Sequence, residues 1–237
     1  MTRSLLLCAH GPQNTRGRAA LAGLVNAVRR EAHGLDVVDA YVDVQEPSIV
    51  STVESTSGPR SLVPLMLSYD RSVSSDIVRA SSLDPSVTVT APLGPDWVLA
   101  EVGVRRLFEA GARSSDTIVL AVDATTNEQA LADTAKAAQL LSAVWGGRVH
   151  VGALGGPDVL LGEAVDVARA YGQRVVVSSY LLTAGTAHAA MRDCGADVVT
   201  EPLLDHNPPD RRLVSLVMAR ARGGGSSTKG PAKHDWS

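Results

Sequence analysis

The residues of this chain best suited to chemistry are three histidines that follow apolar runs, His10, His188 and His206. Each stands where a strand-like run gives way to a polar turn. Asp43, at the end of another such run, adds a carboxylate. Imidazoles with one carboxylate suit borderline divalent ions such as cobalt, iron, nickel or zinc better than magnesium or calcium. Neutral imidazole also takes up protons near pH 7. These residues are scattered through the chain and match no compact ligand motif, so spacing alone does not choose between metal binding and proton transfer. Other histidines have structural explanations. His33 sits at the end of a helical stretch, where a cation is favoured, His150 lies inside a strand, and His234 lies in a Gly- and Ser-rich tail.

The elements that must position these residues form an alternating series. Leu5 to Ala9 is an apolar run that breaks at His10-Gly11, and Arg16 to Arg30 then carries apolar residues at helical spacing. Leu35 to Val44 reads as a second strand, Glu46-Pro47 as the opening of a short helix, and Ser61 to Leu67 as a third strand. The loop from Ser68 to Asp76 leads into a helix, Val87 to Ala91 is a fourth strand, and Trp97 to Ala110 is a helix. Strands alternating with helices at this pitch imply a parallel sheet with right-handed crossovers.

The same grammar restarts at Thr117. Thr117 to Val122, Arg148 to Leu154 and Arg174 to Leu182 repeat the first three strands, and Glu128 to Val144 repeats the first helix. Pro47 and Pro157 are 110 residues apart, as are Pro92 and Pro202. Offsets of 110 to 116 residues through four elements mark a tandem repeat. The predicted organisation is an α/β chain of two doubly wound halves, 1–113 and 114–222, facing a central cleft, with a flexible tail over 223–237. The repeat pairs His10 with Asp123, Ser72 with His188, and Asp96 with His206, all at carboxyl ends of strands that should meet at the cleft.

Composition excludes several classes. Net charge is −3 and the 22 Lys and Arg are dispersed, which gives no footprint for nucleic acid. The two cysteines, Cys8 and Cys194, have no paired spacing, which argues against a disulfide framework or a structural zinc site. The Leu5–Ala9 run is too short for a signal h-region and no segment approaches ~18 apolar residues, so a cytoplasmic protein without a membrane partner is expected.

Four motifs in order carry a family resemblance: Leu5-Leu-Leu-Cys-Ala-His-Gly11, Tyr41-Val-Asp-Val-Gln-Glu-Pro-Ser-Ile49, Val63-Pro-Leu-Met-Leu-Ser68 with Asp76-Ile77, and Ala91-Pro-Leu-Gly-Pro95. Together the chain resembles the sirohydrochlorin chelatases, the class II enzymes that put cobalt or iron into sirohydrochlorin, in their long two-domain form. The resemblance implies a small-molecule tetrapyrrole partner, a divalent metal (Co2+ or Fe2+) as substrate, no organic cofactor, and a role in siroheme or cobalamin biosynthesis. His10 matches the family's first catalytic histidine and Asp43 falls where a glutamate is usual. Ser72 replaces the second histidine and Asp96 stands where a histidine is common, whereas His188 and His206 match histidines often seen in the second half. The implied site is composite: His10, Asp43 and His188 as catalytic residues, and His10, His188 and His206 as metal ligands.

A tetrapyrrole with many carboxylates calls for cations and amides. Arg71, Arg79, Ser72 and the turns over Gly11 to Arg16 and Gly185 to Thr186 are the expected substrate-binding groups. Two other readings stand beside this one. A descendant of the family can hold a tetrapyrrole or a metal without turnover. A histidine phosphatase also has His-Gly after its first strand, but it needs an Arg immediately before that His, and Ala9 occupies the position.

Overall fold

The computed structural model describes residues 3–42, 46–68, 71–172 and 174–223, with the side chains of 71–74 excepted. Strands β1 (Arg3–His10), β2 (Leu35–Val42), β3 (Arg60–Pro64) and β4 (Val87–Val89) form a parallel sheet in the order β2-β1-β3-β4. Strands β5 (Thr117–Val122), β6 (Val149–Ala153), β7 (Val175–Ser179) and β8 (Val198–Val199) form a second in the order β6-β5-β7-β8. The identical order is the structural form of the repeat, with corresponding strands starting 111 to 115 residues apart. Helices α1 (Thr15–Glu31), α2 (Ile49–Ser55), α3 (Arg71–Leu83) and α4 (Trp97–Glu109) belong to the first half of the chain. Helices α5 (Glu128–Trp145), α6 (Leu161–Arg169), α7 (Thr186–Met191) and α8 (Arg211–Ala221) belong to the second.

Each sheet is covered on both faces, which is why its strands read as continuous apolar runs. Alternation along β1 sends Leu5, Leu7 and Ala9 toward α1 and α8, and Leu6 and Cys8 toward α2 and α3. Along β5, Ile118, Leu120 and Val122 pack with α4 and α5, while Val119 and Ala121 pack with α6. The last helices of the two halves are therefore exchanged: α8 completes the core over the first sheet, and α4 completes the core over the second.

Two arginines lock this exchange. Arg220 of α8 donates through Nε to Pro92 O at 2.8 Å and through Nη2 to Leu93 O and Asp96 Oδ2, both at 2.9 Å. Asp96 also caps α4, accepting from Val98 N at 3.0 Å. In the mirror position, Arg106 of α4 reaches Asp205 Oδ2 at 3.0 Å and Leu203 O at 3.1 Å. Each half thus closes the loop after the other half's fourth strand. Asp96, paired by the repeat with His206, is thereby a buried structural carboxylate.

Local differences from the expected elements have physical causes. The short second helix starts at Ile49 rather than at Pro47, because the Ser48 hydroxyl accepts from Ser51 N at 3.1 Å and caps it there. Strands β3 and β7 stop at Pro64 and Ser179, earlier than the apolar runs predict. Leu65 N and Tyr180 N still donate to Cys8 O and Ala121 O. Beyond them the chain leaves the sheet to line a cavity, and apolar periodicity does not distinguish pairing from lining. Cys8 is buried and Cys194 half-buried, and neither forms a disulfide. Among the described residues no helix is long and apolar enough to cross a membrane. The predicted tail, from residue 224 onward, lies outside the described residues.

Candidate functional site

The carboxyl ends of the two sheets converge on one cavity of about 1040 Å3, walled by both halves of the chain. The first half supplies His10, the turn from Gly11 to Arg16, and the segment from Leu65 to Ser68; the second supplies Asp123, Tyr180, and the segment from Thr183 to Arg192. Asn14 ties the walls together. Its Oδ1 accepts from Gly17 N at 2.7 Å as the cap of α1, while its Nδ2 donates to Ala184 O, also at 2.7 Å.

Gly17 is required by that approach. A Cβ there would lie 2.8 Å from Ala184 O and 2.8 Å from the Pro12 Cβ. Neither neighbour is a flexible chain end, so Gly17→Ala must push the walls apart. We expect a loss of about 1–3 kcal/mol, the usual cost of overpacking, checked by urea denaturation. An unchanged midpoint would mean that the walls are not in contact in solution.

His10 ends β1 and is exposed at the cavity wall. It owes that position to the apolar run before it, which anchors the strand, and to Gly11, which begins the turn. His188 lines the same cavity from α7 but is only 3% exposed. Its Nε2 lies 2.9 Å from Thr200 O. A carbonyl only accepts, so Nε2 carries a proton; in the neutral ring the lone pair is then on Nδ1, the only nitrogen free to act as a base or ligand.

The remaining expected site residues divide. His206 is exposed and is not part of the cavity wall, because Asp205 before it is turned inward onto Arg106. Asp43 lies outside the described residues, as do the side chains of Arg71 and Ser72 at the start of α3. Arg79 is exposed on α3, away from the cavity wall. Gly11, Arg16, Gly185 and Thr186 all line it. Among the described residues, no group of three His, Cys, Asp or Glu side chains is placed to hold a metal ion.

Three wall or rim residues escape a reading from sequence. Arg192 follows His188 by four residues, so both share one face of the α7 turn, a spacing that is visible in the sequence. Glu201 precedes Pro202 where the first half has Ala91 before Pro92, and that asymmetry in the repeat is its signal. Tyr180 carried none. Its hydroxyl is buried without a hydrogen-bond partner among the described residues, beside Gly94, whose substitution by Ala would place a Cβ 2.7 Å from it. Burial, with smaller contributions from Asp133 and Asp96, raises the Tyr180 pKa, so the phenol stays protonated and can act as a donor.

Comparison with known proteins fits this geometry. The sequence model of the CbiX family matches residues 4–110. SirB from Bacillus subtilis, solved with Fe3+, superposes with a TM-score of 0.76 at 16% identity, covering 94% of this chain and 95% of that one. CbiX, described as the terminal enzyme for siroheme biosynthesis in denitrifying bacteria, gives 0.64 at 17% identity over 91% and 98% of the two chains. DR2241 from Deinococcus radiodurans, a multi-domain protein similar to chelatases, gives 0.69 at 20% identity over 96% of this chain and 56% of its own. No curated protein sequence matches the chain at a significant level.

Proposed function

We propose that this chain, whose residues 4–110 match the model of the CbiX family and whose fold is that of the sirohydrochlorin chelatases, inserts cobalt or iron into sirohydrochlorin. The observation that carries the reading is the cavity of about 1040 Å3 between the two sheet edges, with the His10 imidazole on its wall. That volume is at the upper end of the usual range for small-molecule pockets, as a substituted macrocycle needs.

Metal insertion requires a base for two pyrrole N–H protons and a weak ligand that releases the ion to the ring nitrogens. His10 can serve in both roles in turn. An imidazole in its neutral form can take up a proton and return it to solvent through the open side of the cavity. Asp43, following β2, is the carboxylate proposed to orient the ring and offset charge. His188 is proposed to act through Nδ1, with Nε2 fixed by Thr200. The guanidinium of Arg16 and the amides of the Gly11 and Gly185 turns are proposed to receive peripheral carboxylates, as are Arg71 and Ser72 from the start of α3. The same reading makes the protein a cytoplasmic enzyme of siroheme or cobalamin synthesis.

The test is loss of the free sirohydrochlorin absorbance with Co2+, Fe2+ or Ni2+, measured against the rate without protein. A rate well above that background with cobalt or iron is expected. The second reading, a tetrapyrrole-binding descendant without turnover, is favoured by the lack of three clustered metal donors among the described residues. Saturable binding of metal-free sirohydrochlorin at the background insertion rate would select it.

A further inference from the structure

At the rim of the cavity, Glu201 stands between two arginines contributed by opposite walls. Its Oε2 accepts from Arg16 Nη2 at 3.0 Å and its Oε1 from Arg192 Nη2 at 2.8 Å. Arg16 belongs to the first turn of α1, Arg192 closes α7, and both line the cavity. Glu201 follows β8 and is set in place by its neighbour. Thr200 is buried, with its carbonyl held by His188 and its hydroxyl accepting from Ser179 N at 3.0 Å.

We propose that Glu201 is a built-in competitor for carboxylates of the ligand: it occupies the Arg16–Arg192 pair in the empty cavity and yields it when a polycarboxylate tetrapyrrole enters. The inference rests on the function proposed above and adds a specificity residue to it. Two guanidiniums facing each other across a cleft repel, and one carboxylate between them relieves the repulsion. The bridge is exchangeable. The side chains of Arg16, Glu201 and Arg192 are 44%, 32% and 52% exposed, so water reaches all three and each pair is weak. In contrast, Arg220 and Asp96 are 1% and 0% exposed and form a permanent lock. Glu201 sets a threshold: a ligand with a carboxylate at the right edge displaces it, whereas a ligand without one leaves the bridge closed.

The experiment titrates the full chain with metal-free uroporphyrin, an octacarboxylate tetrapyrrole, by fluorescence at fixed ionic strength. Glu201→Gln keeps size and hydrogen bonding but removes the charge, and should tighten binding about 3- to 10-fold, the factor that freeing two partly exposed ion pairs supplies. Arg16→Gln with Arg192→Gln should weaken binding, and in that background Glu201→Gln should have no effect. A simple structural latch predicts the opposite sign for Glu201→Gln, weaker or unchanged binding with a lower melting temperature, and that result overturns the proposal. Wild-type binding that is indifferent to both arginines overturns this inference while leaving the proposed function standing. Failure of the wild type and of Glu201→Gln alike to bind the macrocycle overturns both.

Discussion

His10→Ala should lower the rate of metal insertion by about 10²- to 10⁴-fold, the range over which a positioned acid–base group contributes. His10 combines a sheet-edge position, an exposed side chain and a place on the wall of the large cavity. Because the side chain is exposed and the core of β1 ends at Ala9, the variant should stay within ~0.5 kcal/mol of wild-type stability. A rate loss without a stability loss is what separates a site residue from a packing residue. His206→Ala is the matched control. It alters an exposed histidine outside the cavity wall and should change insertion little. A folded His10→Ala protein with the wild-type rate would remove His10 from the mechanism, and equal losses in both variants would point to the ion's approach rather than to the cavity.

Arg220→Met should destabilise the fold by about 3–5 kcal/mol, the cost of removing one partner from a buried ion pair. The substitution keeps an apolar chain of similar length, so packing loss is small. What remains is the Asp96 carboxylate, 0% exposed, still accepting from Val98 N but with its cation gone, and the carbonyls of Pro92 and Leu93 without the Arg220 donor. For a chain of this size each kcal/mol moves the midpoint by roughly 2–4 °C, so the melting temperature should fall by roughly 6–20 °C. Arg106→Met should cost less. Arg106 is 10% exposed in its side chain, and its partner Asp205 keeps bonds from Asn207 N and Nδ2. Calorimetry of the two variants against the wild type decides: variants that melt with the wild type would mean that the exchanged helices are not held by the clamps, and equal losses in the two would mean only that the clamps are equally strong.

Much of this protein was determined by its sequence alone. Apolar runs bounded by polar turns set the strands, the offsets of 110 to 116 residues set the repeat, and His10 was legible as a sheet-edge residue because a buried parallel strand must end where polarity begins. The caps of α1 and α5 appear only in the structure, where Asn14 Oδ1 accepts from Gly17 N and Asn127 Oδ1 from Gln129 N and Ala130 N. What only the tertiary structure decided is which partner each buried group meets. Periodicity along α4 and α8 marks an apolar face, yet nothing local says that each face covers the other half's sheet. The repeat set Asp96 at a strand-end loop position paired with His206, and only the structure makes it and Asp205 structural carboxylates, because Arg220 and Arg106 reach them across the seam. His188 and His206 looked alike as strand-end histidines. They part because a side chain's direction depends on the helix or loop that carries it: α7 turns His188 inward onto Thr200, while the Arg106–Asp205 contact leaves His206 outside. Glu201, Arg16 and Arg192 lie far apart in the chain and meet only at the rim, where two folded halves bring one carboxylate between two guanidiniums. Local sequence encodes backbone propensity and burial, which act over a few residues, whereas ion pairs between distant segments exist only after the sheets have packed.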